Sequence, residues 1–63
     1  MSRMEILCEA ARKSSTEILI AVAKMIGGDT PEHRLVRAAT IEVYMEREGE
    51  DATDALLDEI FGV

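Results

Sequence analysis

The sequence has no tryptophan, asparagine or glutamine, one cysteine (Cys8), one histidine (His33), one proline (Pro31) and two aromatic rings, Tyr44 and Phe61. Each shortage removes a class of function. Two rings cannot build a surface on which nucleobases stack or a platform for sugars. One cysteine excludes an intrachain disulfide framework and a multi-cysteine zinc site, and fits a reducing cytoplasm. One histidine, flanked by Glu32 and Arg34 in the first turn of an expected helix, has no second ligand or nucleophile to work with. The hydroxyl cluster Ser14-Ser15-Thr16 lacks the Gly-x-Ser-x-Gly elbow of a serine hydrolase. The loop Gly27-Gly28-Asp29-Thr30 lacks the lysine of a P-loop and carries an anion-repelling aspartate. No run of about 18 uncharged apolar residues occurs, and the apolar core of a secretory signal is missing near the start, so no membrane association is expected. Neither catalysis nor a bound cofactor is expected. The missing amides match one part of the thermophile pattern, while four methionines and Cys8 run against it.

What is present is apolar and acidic. The 63 residues are 48% hydrophobic and 32% charged, enough apolar content to fold but too short for more than one small domain, 1–63. The formal net charge is −6, the wrong sign for a protein that grips phosphates, so direct nucleic-acid binding is disfavoured. The charge is also segregated. Residues 1–39 are nearly balanced, whereas residues 40–63 carry Glu42, Glu46, Glu48, Glu50, Asp51, Asp54, Asp58 and Glu59 against Arg47 alone. Such a pole is either a solvated face or a docking surface for a basic partner, reached by electrostatic steering.

Hydrophobic periodicity predicts an all-α fold with helices at about residues 3–26, 31–48 and 52–61. In the first, Met4, Leu7, Cys8, Ala11, Ser14, Ser15, Ile18, Leu19, Val22 and Met25 share one face, and the stripe keeps phase across the serine pair. A continuous helix about 36 Å long is therefore favoured. Ser14 followed three residues later by Glu17 spells a capping box, and is the point at which it could break. Gly27 suits the end of this helix, Thr30 the cap of the next, and Pro31 its first turn. A short loop then makes the first two helices an antiparallel αα-hairpin. The second helix has an apolar arc of about 220°, wider than one neighbour covers. A short C-terminal helix accounts for part of the excess, and association with a second copy into a four-helix-bundle-like homodimer for the rest. A monomeric three-helix bundle is the alternative.

These features favour a small acidic protein–protein interaction module, a regulator, inhibitor or adaptor, whose partner has a basic surface. The expected partner-binding residues are Asp54, Asp58 and Glu59 with the apolar residues Leu57, Phe61, Ile6 and Ile20, because an apolar anchor ringed by charge is a common hot-spot form. Mimicry of nucleic acid by the carboxylates is one variant. A second alternative places a metal between Glu42 and Glu46 of two copies, although the Glu-x-x-His element of bundle metal sites is missing and a structural role for both is favoured. A helix-turn-helix DNA-binding regulator is less favoured, because its reading helix would have no Arg, Lys, Asn or Gln. Cys8, on the apolar stripe, is expected to be a buried structural thiol.

Overall fold

A computed structural model describes residues 2–25 and 30–62, in which every regular element is helical. The order is α1 (Arg3–Arg12), α2 (Thr16–Met25), α3 (Pro31–Glu48) and α4 (Glu50–Phe61). The expected end of the first helix at Ile26, the Gly27 terminator and the Gly28-Asp29 turn lie outside the described residues.

The expected continuous first helix is two helices. Lys13 is still in the α region, at φ −84° and ψ −9°, and the break is completed by Ser14 and Ser15. Ser14 Oγ donates back to Ala10 O at 3.1 Å, and Ser15 Oγ accepts from the Ile18 N–H at 3.2 Å, an N-cap for α2. The cap is thus Ser15 rather than the Ser14–Glu17 box. The C-terminal end of α1 has a partner from α3. Arg47 Nη2 donates to Arg12 O at 2.7 Å and to Ala11 O at 3.3 Å, while Nη1 reaches Thr16 Oγ1 at 3.5 Å. A cation on orphan carbonyls at a helix C-terminus satisfies both hydrogen bonding and the dipole.

That break changes the topology. Contacts between α1 and α3 run in the same order along both helices, from Arg3–Glu32 through Cys8–Glu42 to Arg12–Glu46. α1 is therefore parallel to α3, and the expected antiparallel hairpin is confined to α2 and α3. α3 is the central element, packed against each of the other three helices, and α2 also touches α4. The wide apolar arc of α3 follows from this: Ala39, Thr40, Val43 and Tyr44 are buried in turn against three neighbours.

The core consists of Cys8, Ala11, Leu19, Ala23, Ala39, Val43, Tyr44 and Leu56. Three alanines and a cysteine allow close approach of the helices but limit the apolar area buried. The two buried threonines are satisfied locally, Thr40 Oγ1 donating to Val36 O and Thr53 Oγ1 to Gly49 O, each at 2.8 Å. Side chains cap α1 and α3, whereas α4 starts at Gly49 with no side-chain cap. Ser2 Oγ accepts from Glu5 N–H, and Thr30 Oγ1 accepts from His33 N–H ahead of Pro31. Gly49 both ends α3, its N–H donating to Met45 O at 2.9 Å, and starts α4 two residues before the expected 52.

Candidate interaction surfaces

α4 carries the acidic pole. Its solvent side presents Glu50, Asp51, Asp54 and Asp58, all exposed. Among the described residues the ion pairs are Arg3–Glu32 at 3.7 Å, Arg12–Glu46 at 3.0 Å and Lys24–Glu59 at 2.9 Å. Four carboxylates of α4 therefore lie outside these pairs, whereas Glu59 is held by Lys24 of α2. Leu57 is half-buried. Phe61 is 57% exposed, and the Arg37 guanidinium lies over its ring, 5.8 Å from the centroid. Arg37 is half-buried, with its charge on the apolar tip of α4.

Ile20, expected at a partner surface, is not an exposed residue. It is half-buried against the core and lines a cleft with Tyr44, Ala52 and Leu56. The single-helix wheel misplaced it because α2 is covered on two sides, by α3 and by α4. Ile6 is exposed, at 53%.

A second surface is apolar. Between α1 and α2, with α3 as its floor, lies a shallow cleft of about 150 Å³. Its walls include Leu7 and Ala10 on one side and Ile18 and Val22 on the other; Val36 and Ala39 form the floor. A neighbouring depression of about 270 Å³ is lined by Ile6, Leu7, Leu35 and Val36, with Arg3 and Glu32 at its rim. Leu7 and Val36 line both. Ile18 is 52% exposed at this cleft. Ile18 lies on the apolar stripe expected of one continuous helix, but that helix is broken between Arg12 and Thr16, and a wheel of one straight helix cannot show its exposure.

Glu42 and Glu46, the weak metal candidates, both have partners on α1. Arg12 holds Glu46 through a two-pronged contact, Nε to Oε2 at 3.3 Å and Nη2 to Oε1 at 3.0 Å. The guanidinium keeps the Glu46 carboxyl below its usual titration range, chiefly through this hydrogen bond. Glu42 Oε2 accepts from the Cys8 thiol, S···O 3.5 Å. Among the described residues, no group of three His, Cys, Asp or Glu side chains could hold a metal ion. His33 is exposed in the first turn of α3. Among the same residues, no helix is long and apolar enough to cross a membrane.

Cys8 is buried and free. Burial pushes its thiol above the ordinary value of 9.0, and the hydrogen bond to Glu42 and that carboxylate's charge push in the same direction. A protonated buried thiol is a poor nucleophile, so modification of Cys8 in the native protein is expected to be slow at neutral pH. The same shift has a stability sign. An acid whose pKa is raised on folding favours the fold while protonated, and that contribution is lost as pH rises through the folded value. The melting midpoint should therefore fall above pH 9.0, and Cys8→Ala should flatten that fall. Equal alkaline slopes in the two proteins would contradict the assignment.

The chain matches no family model, and neither the curated proteins nor the solved structures contain a significant match to it.

Proposed function

We propose that this chain is a helical protein–protein interaction module that works as a homodimer and presents the acidic face of α4 to a basic partner. The observation that carries this reading is the division of the surface. The apolar cleft is lined by α1, α2 and α3, and the exposed carboxylates Glu50, Asp51, Asp54 and Asp58 lie on α4. One face suits a second copy through Ile6, Ile18 and Val22. The other suits a cationic surface, with half-buried Leu57 and the exposed edge of Phe61 as apolar anchors. Among the described residues, no group of three His, Cys, Asp or Glu side chains competes with this use: His33 is exposed, Cys8 is buried, and Glu42 and Glu46 are engaged with α1.

The test is a pull-down from the native host with the unmodified chain beside an Asp51→Lys/Asp54→Lys/Asp58→Lys variant. Glu59 is left in place because its reversal breaks the contact with Lys24. Partners retained by the parent at low salt should be lost by the variant and released from the parent as salt rises, since exposed charge pairs are screened over about 10 Å at 0.1 M. Equal capture by two folded proteins contradicts the acidic docking face. Capture limited to DNA-binding proteins would narrow the same reading to mimicry of nucleic acid.

A further inference from the structure

We propose that two copies pair by exchanging α1: the helix leaves its own α3 and takes the same face of α3 in the second copy, while the α1–α2 break straightens into one helix. This rests on the homodimer reading and names how the copies meet.

α1 behaves as a separable arm. Its main support is α3, and its polar anchors are repeatable pairs: Arg3 with Glu32, Cys8 with Glu42, Arg12 with Glu46. An α1 supplied by a partner makes these contacts equally well, so exchange conserves them. What changes is the hinge and the association entropy, which is why swapping is a low-cost route to a dimer.

The hinge is built to be either bent or straight. It holds three residues, Lys13, Ser14 and Ser15, with no glycine or proline to require a turn. Lys13 is already α-helical, and its N–H is shared between Glu9 O and Ala10 O. In a continuous helix Ala11 O accepts from residue 15 and Arg12 O from residue 16. Those are the two carbonyls that Arg47 occupies, at 3.3 and 2.7 Å. A side chain of α3 thus holds the break open by taking the acceptors that continuation needs.

The sequence supports the straight form as well. The apolar stripe stays in phase from Met4 through Ala11 to Ile18 and Met25, a pattern that a permanent break has no reason to preserve. In the straight form, the two arms cross near the hinge, where Ala10 and Ser14 let backbones approach closely. Short hinges between helices that can fuse are the usual setting for exchange.

The experiment separates exchange from simple docking. Arg12→Glu and Glu46→Arg variants are prepared singly, then mixed and co-refolded, and their masses are read by light scattering and native mass spectrometry. Alone, each variant sets like charges against each other at positions 12 and 46, whether the chain is closed or exchanged with its own kind. Mixed, the opposite charges meet only when α1 crosses between the two chains. In an equal mixture, exchange predicts a ratio of heterodimer to total homodimer about threefold or more above that of random pairing, with the excess lost at high salt. Arg47→Ala should raise the dimer fraction several-fold by freeing the α1 carbonyls; a fall in that fraction with α1 still helical overturns the hinge role. Dimers that mix only at random overturn exchange and leave the homodimer reading standing. Single-chain mass for every protein up to millimolar concentration overturns both.

Discussion

Leu19→Ala is expected to unfold the protein at 37 °C, while Ile18→Ala, one residue away, leaves it folded. Leu19 is 2% exposed in the contact of α2 with α3, and Ile18 is 52% exposed at the cleft. Truncating a buried leucine removes its transfer free energy and leaves a cavity, at a cost of about 2–5 kcal/mol. Domains of this size hold only about 3–5 kcal/mol of core stability, so the loss is comparable to the whole. The buried cluster to which Leu19 belongs includes Ala11, Ala23 and Ala39, whose side chains are too short to swing into a vacated space. Ile18 has no such role within one chain. Its removal should instead weaken self-association, seen as a higher dimer dissociation constant with an unchanged single-chain circular dichroism spectrum. Thermal melts of both variants at low concentration provide the comparison, and equal destabilisation would show that the two side chains had been assigned to the wrong sides of α2.

The second large effect belongs to Gly49. Its φ of 90° and ψ of 173° lie in a region essentially closed to side-chain-bearing residues, and a Cβ there would meet no atom within 4 Å. The penalty is therefore backbone strain alone, about 1–3 kcal/mol for Gly49→Ala. In a domain this small that lowers the melting midpoint by about 5–20 °C. The consequence is structural as well as energetic. Gly49 turns α3 into α4 within one residue, and its carbonyl accepts from both the N–H and the hydroxyl of Thr53. If the strain is relieved by fraying the start of α4, Thr53 loses its partner and the acidic face loses its fixed position. Gly49→Ala should then weaken capture of a basic partner as well as stability. A melting midpoint within a degree of the parent would contradict the strain.

How far the sequence carried differs by element, for physical reasons. α3 was legible at both ends because its signals are local: Thr30 caps, Pro31 starts and Gly49 stops. The extent of α4 was nearly so, through its apolar residues Ala52, Leu56 and Ile60. The break between α1 and α2 was not. Its decisive contact comes from Arg47, more than thirty residues away, and the in-phase apolar stripe argued for continuity. From that one error followed the orientation of α1, parallel to α3 instead of antiparallel as part of a hairpin. It also hid the apolar cleft, which exists only because α1 and α2 diverge. Ile20 was misplaced since a wheel shows the polarity of one helix and not how many neighbours cover it. Pairing of Glu46 with a cation was foreseeable as a cost argument, because a carboxylate within an apolar arc needs one. The acidic pole was visible in composition, but the division between Glu59, tied to Lys24, and the outward Asp51, Asp54 and Asp58 needed the packing of α2 on α4.

Self-association of the chain is read from the mass of the unmodified protein in solution. Light scattering across micromolar to millimolar concentration is predicted to show a rise from the 7.0 kDa of one chain to twice that value, retained in high salt because the contact is apolar. A mass of one chain at the highest concentration would contradict it.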